Sequence, residues 1–394
     1  MAAMSIPRLR QYQGPAVLSY GFRPFFLLGS AYAGAMILIW LPVYEGHLAL
    51  TTAFSPRDWH VHEMLFGYVS AVIGGFLLTA VPNWTGRLPL QGNSLATLVS
   101  TWIAGRIAIF LSASIGWAAT AVIDVAFLTL LAMAAAREIV AGRKWSNLPV
   151  VAIVSLLSLA NVAFHIEAHL NGLADYSTRF AIALVIMLVT LIGGRIVPSF
   201  TRNWLARQTA GQMPAPFGRF DSITVALGGI ALLAWEAMPS GWLTAALLLP
   251  AGVFHLIRLG RWAGYRTLSD RLVLILHLAY AFIPVGFILT GLAAIDLVPV
   301  GAGIHAWTGG AIGGMTLAVM TRATLGHTGR ALQASAGTQV IYAAIVTAAL
   351  ARICASLEPS HMIPLLTVAG AAWAIAFIGF VALYGPALCS PRKA

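Results

Sequence analysis

The sequence predicts an all-α, polytopic membrane protein of about twelve transmembrane helices, with both termini cytoplasmic and a single integral membrane domain over residues 1–394. Three observations predict it. Of the 394 residues 59% are hydrophobic and 9% charged, with a mean hydropathy of +0.86, where soluble domains carry roughly 25% charged residues. Apolar runs of about 20 residues, the length that spans a bilayer, recur along the whole chain. The basic residues collect in alternate connections between those runs.

The runs fall near 22–44, 58–82, 94–113, 116–136, 148–170, 177–200, 219–238, 242–260, 271–292, 300–322, 337–357 and 363–388. The first is too long for the apolar region of a signal peptide and lacks a small-residue cleavage site, so it reads as a retained span. The second and tenth carry histidines near their starts, and the third and fourth each bury one charge, Arg106 and Asp124. The fifth and sixth continue the pattern and meet at a short polar turn. The connections after the fourth and seventh, Gly142-Arg143-Lys144 and Pro239-Ser240-Gly241, are turn sequences that leave no room for an extramembrane domain. The stretch from Leu205 to Gly218, before the seventh run, is the longest linker.

An even number of spans with the N-terminus inside makes a testable demand on the 23 Lys and Arg residues. Arg8, Arg10, Arg23, Arg87, Arg137, Arg143, Lys144, Arg195, Arg202, Arg207, Arg219, Arg258, Arg261, Arg266, Arg271, Arg322, Arg330, Arg392 and Lys393 all fall on the inner side. Only Arg57, Arg179 and Arg352 fall outside, with Arg106 within the third span. The net charge of +11 therefore marks membrane orientation, and no basic helix, zinc-knuckle spacing or RNA-binding motif points to nucleic acid. The bacterial inner membrane, with membrane lipid as solvent and partner, is the expected location. Cys354 and Cys389 form no paired spacing and read as inert core thiols. Trp59, Trp84, Trp102, Trp117 and Trp204 lie mostly at span ends, as an interfacial belt would.

The second and tenth runs echo each other. At the separation of 243 residues that carries His62 onto His305, Gly67 falls on Gly310 and Thr85-Gly86-Arg87 on Thr328-Gly329-Arg330, a weak sign of internal duplication.

Intramembrane histidines and carboxylates are costly unless paired or ligated, which makes each a functional candidate. His60, His62, His165, His169 and His305 fall near the outer ends of their spans, His47 and His361 in outer loops, and His255, His277 and His327 toward the inside. The outer group suits a metal or haem site built from facing helices. His60 and His62 lie about 200° apart around a helix and cannot face one point, whereas His165 and His169 share a face and could grip copper. Glu63 and Glu167 could orient imidazoles. Arg195 and Arg322 could pair with haem propionates or anionic lipid, and Arg106 with Asp124 forms a structural ion pair. Gly74-Gly75, Gly193-Gly194, Gly309-Gly310 and Gly313-Gly314 read as close-packing faces. A transporter or a metal- and haem-handling assembly factor would use the same histidines as a proton or metal path.

Four stretches, Trp59–Gly67, Gly75–Arg87, Gly193–Trp204 and Met315–Arg330, resemble the signature segments of the NnrS family of bacterial membrane proteins, and the resemblance covers nearly the whole chain. It implies a haem- and copper-containing protein of nitric-oxide metabolism and nitrosative-stress defence, with nitric oxide as ligand and an electron donor the sequence does not identify. The haem is expected to be b-type. By position the family's histidine motifs match His60, His62, His165, His277, His305 and His327, which takes weight from the His165/His169 grip. The layout is also similar to haem-copper oxidase catalytic subunits, which implies haem held by His62 or His60 together with His305. The chain departs from that pattern in lacking a second histidine two residues from His305 and in placing Arg195 where a copper-binding histidine would stand.

Overall fold

The computed structural model describes residues 12–393, and no strand occurs among them. Arg8 and Arg10, two of the expected inner-side charges, lie outside the described residues. Helices α1 (Phe22–Tyr44), α2 (Pro56–Thr85), α3 (Gly92–Phe110), α4 (Trp117–Ala141), α5 (Leu148–Asn171) and α6 (Tyr176–Leu205) are followed by α7 (Arg219–Ala237), α8 (Trp242–Gly260) and α9 (Arg271–Ala293). A broken run α10 (300–327), then α11 (Ala336–Leu357) and α12 (Met362–Cys389), complete the chain. Ten helical segments among the described residues are long and apolar enough to cross a membrane, so the chain is a multi-pass membrane protein. The expected spans at 94–113 and 300–322 fall on α3 and α10, which lie outside those ten.

Local chemistry sets the boundaries that matter for the site. Ser55 accepts a hydrogen bond from the Asp58 N–H and Pro56 opens the first turn, so α2 starts sharply. Gly86 ends it in the left-handed region at φ 71°, a conformation that disfavours a side chain. Asp58, fully buried, accepts from the Ala174 N–H and from Arg57, which ties the start of α2 to the α5–α6 turn.

Both α2 and α10 contain a wide π turn, at Glu63–Val69 and Ala306–Gly313. Each begins at the residue after the histidine that the sequence echo aligns, His62 in one case and His305 in the other. The matched glycines do matching work. Arg106 lies against Gly67, where a Cβ would stand 2.7 Å from its Nη1, and the Phe282 ring fills the space beside Gly310.

The described residues divide into two compact units, one of those within 12–181, 324–330 and 381–393, and one of residues 182–323 with 331–380. In the first, α1 packs on α2, α3 and α2 pack on α4, and α4 packs on α5. Arg23, 3% exposed, donates to the carbonyls of Ala387, Leu388 and Ser390 and so satisfies the end of α12. In the second unit, α7 packs on α8, α8 on α9, and both α9 and α11 pack on the π turn of α10. Trp235, Trp307 and Phe287 form its aromatic centre.

The surface is apolar where a soluble protein would be polar. Val122 is 74% and Trp242 79% exposed, an arrangement that only a lipid solvent stabilises. Cys354 and Cys389, expected in the core, are both on that exposed surface. Trp59 and Trp102 leave the expected interfacial belt. Trp59 is fully buried, and Trp102 donates its indole N–H to the Gly67 carbonyl at 2.9 Å inside the first unit. The paired glycines do mark close packing: Phe26 abuts Gly75, Tyr280 abuts Gly193, and Trp373 abuts Gly313. Gly75→Val therefore inserts methyl groups where even a Cβ stands 2.7 Å from the Phe26 ring. The expected cost is about 1–3 kcal/mol, read as an earlier thermal unfolding midpoint of the detergent-purified protein.

Candidate metal centre

The centre lies inside the first unit and is built by four helices. α2 supplies His62 and Glu63, α3 Arg106, α4 Asp124, and α5 Asn161 and His165; all are at most 5% exposed. His62 is the last residue before the π turn, which adds a residue to the local winding and is frequent where a helix presents a functional side chain. Gly105 on α3 admits Asp124, whose Oδ1 would lie 2.9 Å from a Cβ there.

Arg106 organises the charges. Its Nη1 donates to Glu63 Oε1 at 2.6 Å, and its Nη2 donates to Asp124 Oδ1. The ion pair expected between Arg106 and Asp124 is thus present, with Glu63 as a second carboxylate on the same guanidinium. Asn161 Nδ2 donates to Asp124 Oδ2 at 2.7 Å. His62 Nε2 and His165 Nε2 both stand 3.1 Å from that same oxygen, and His62 Nε2 is also 3.1 Å from Asn161 Oδ1. One ligand atom from each of His62, Asp124 and His165 lies within 4.8 Å of the others.

The tautomer of His62 carries the chemical meaning. Its Nδ1 lies 2.8 Å from Glu63 Oε1, and a carboxylate can only accept, so Nδ1 carries the proton. In the neutral ring Nε2 is then an acceptor, and it faces a carboxylate oxygen and an amide oxygen. Three acceptors meeting without a hydrogen between them repel unless a cation stands there or the imidazole is protonated. A carboxylate holding one histidine nitrogen while the other points at an ion is the usual support of metal ligands. Two carboxylic groups share the one guanidinium in this buried place. Glu63 Oε2, Arg106 Nε and the nearby Tyr32 hydroxyl are buried without a hydrogen-bond partner.

Phenylalanines wall the site. The His62 ring stacks on Phe54 at 5.3 Å and contacts Phe66, Phe164 and His165 at 5.2 to 5.3 Å between centroids. His62 Nε2, the nitrogen left for coordination, has Asp124 Oδ2 and Asn161 Oδ1 at 3.1 Å, which suits a small ion and not a macrocycle, so the expected haem ligation by His62 does not fit its surroundings. His60 points elsewhere, as its spacing requires, and stacks on Trp40 at 4.4 Å.

The remaining candidates disperse. His169 is exposed and stacked on Trp117 at 4.4 Å, so the His165/His169 copper grip is not formed. Glu167 accepts from the N–H groups of Asp175, Tyr176 and Ser177 and caps α6 instead of orienting an imidazole. His305 lies half-buried in the second unit with Nδ1 3.5 Å from the Thr308 hydroxyl. Of the glycines that follow it, Gly310 is filled by Phe282 and Gly313 by Trp373. His277 Nε2 donates to the Thr201 hydroxyl at 2.8 Å, since that hydroxyl's own proton goes to the Val197 carbonyl. His327 packs against the rings of Tyr20 and Phe22. Arg195 is exposed, and Arg322 lies 4.2 Å from the centre of the Phe200 ring.

Two residues escaped sequence reasoning. Asn161 carries no charge and was not sought, although it precedes His165 by one helical turn and shares its face. Asp124 was read only as a partner of Arg106, while its second oxygen serves both histidines.

The fold and this centre define a class: a polytopic helical membrane protein with a buried histidine–carboxylate site. The chain matches the family described as NnrS protein over residues 16–392, and it belongs to that family. No curated protein matches it.

Removing the organising cation should show at once. Arg106→Met leaves two buried carboxylates facing each other, with an expected loss of about 3–5 kcal/mol, whereas Lys144→Met at the exposed surface should stay within about 0.5 kcal/mol. Thermal unfolding of both variants in detergent measures the difference.

Proposed function

We propose that this is a twelve-span protein of the bacterial cytoplasmic membrane, with both termini inside, that holds a copper ion on His62, His165 and Asp124 and serves the cell's response to nitric oxide. Family membership and the sorting of basic residues support the setting. One observation carries the metal reading: Glu63 fixes the proton of His62 on Nδ1 and so turns the Nε2 lone pair toward Asp124, beside His165 Nε2.

Two imidazoles and one carboxylate are donors that copper accepts. When bound, the ion would supply a coordination position for a small ligand and a one-electron couple. The protein's own residues do the rest. Glu63 holds the His62 ring in one orientation, Asn161 steers Asp124, and Arg106 holds both carboxylates in place through Glu63 Oε1 and Asp124 Oδ1, leaving Asp124 Oδ2 to the histidines. Phe54, Phe66 and Phe164 keep bulk water away while a small, uncharged, lipid-soluble molecule such as nitric oxide can pass between them. The haem implied by the family resemblance does not belong to this cluster.

Copper per protein, measured by elemental mass spectrometry on protein purified from copper-supplied cells, should be near one for the wild type. It should fall about tenfold or more in His62→Ala and in Asp124→Asn and stay unchanged in His169→Ala. A metal-free wild type, or a His62→Ala variant that keeps its copper, defeats the reading. Cells carrying Asp124→Asn should also lose protection against a nitric-oxide donor relative to wild type.

A further inference from the structure

A second site lies at the other ends of the same helices, away from the histidines. The C-terminal part of α2, the strap that follows Gly86 and the C-terminal part of α4 enclose an open cleft of about 690 Å³, within the size range of small-molecule sites. Leu77, Val81, Pro82 and Leu88 form its apolar walls, and Ala134 keeps one wall low. Three charged groups stand at the mouth. Arg87 donates to Glu138 Oε2, and Arg137 donates to Glu138 Oε1. Two guanidiniums thus share one carboxylate, which leaves one positive charge uncompensated, and both arginines keep much of their surface open at 47% and 69% side-chain exposure.

An apolar trough in the lipid-facing part of a membrane protein, capped by an excess of arginine at the level of the headgroups, is complementary to one kind of molecule. Its walls take an acyl chain and its arginines, both anchored on Glu138, take a phosphate. We propose that this cleft binds an anionic phospholipid, with the acyl chain between α2 and α4 and the phosphate on Arg87 and Arg137. The site sits on the side proposed to be cytoplasmic and is independent of the metal reading. Because α2 and α4 also carry His62, Glu63 and Asp124, an occupied cleft braces the two helices that hold the metal centre.

The test compares lipids on the full-length protein in detergent. Phosphatidylglycerol and phosphatidylcholine of the same chains are added separately, and glycerol 3-phosphate supplies the headgroup chemistry without a chain. Phosphatidylglycerol should raise the unfolding midpoint of the wild type by about 4 °C more than phosphatidylcholine does, and glycerol 3-phosphate should raise it by less than about 1 °C. The Arg87→Gln/Arg137→Gln variant should lose the preference for the anionic lipid. Ala134→Leu, which narrows the cleft and leaves every charge in place, should weaken the response to phosphatidylglycerol. Equal shifts from the two lipids, an equal shift from glycerol 3-phosphate, or an unchanged preference in the arginine variant overturns the proposal. The wild-type comparison decides even where a variant fails to fold.

Discussion

Everything specific about this protein depends on one buried guanidinium. Arg106 lies between Glu63 and Asp124 where lipid surrounds the helices, so neither it nor the carboxylates can turn to water for charge balance. Breaking the pair strands a charge, and keeping it fixes the relative placement of α2, α3 and α4. The histidines are consequences of that placement. Glu63, once held by Arg106, locks the His62 tautomer, and Asp124, once held by Arg106, offers its second oxygen to His62 and His165. A charge-neutral core would pack as well, but it would leave the imidazoles without direction.

The membrane architecture was legible because its physics is one-dimensional. Length and hydropathy reveal a spanning helix, and each expected span lies on helix in the structure. The Arg106–Asp124 pair was legible for the same reason, since two intramembrane charges on neighbouring spans have few alternatives. The site was legible only in its parts. His62, His165 and Glu63 were on the list of candidates, while the coupling that selects them over His60, His169 and Glu167 is three-dimensional. His60 and His62 diverge by helical geometry, and sequence alone could not say which would face inward. Glu167 lies two residues from His165, as plausible a support as Glu63, yet it is consumed by capping α6. Haem does not fit at His62 because Asp124 and Asn161 stand at its Nε2, and the approach of two side chains from other helices leaves no mark in the local sequence.

The π turns in α2 and α10 give the faint sequence echo a physical basis. In both, the winding widens immediately after a histidine, and in both a glycine four residues on from the first π residue admits a side chain from a neighbouring helix. The first turn receives the charge of Arg106 at Gly67. The second received Phe282 at Gly310 and has Ala306 where the first has Glu63, so no carboxylate follows its histidine to fix a tautomer.

The central claim is that an ion stands where the acceptors of His62, His165 and Asp124 converge. Anomalous scattering from a crystal of the copper-loaded protein, recorded on either side of the copper absorption edge, tests it most directly. A single peak is expected in the first unit at about 2 Å from both Nε2 atoms and from Asp124 Oδ2. A crystal whose only copper peak lies elsewhere, with His62 Nε2 still hydrogen-bonded to Asp124, would contradict it.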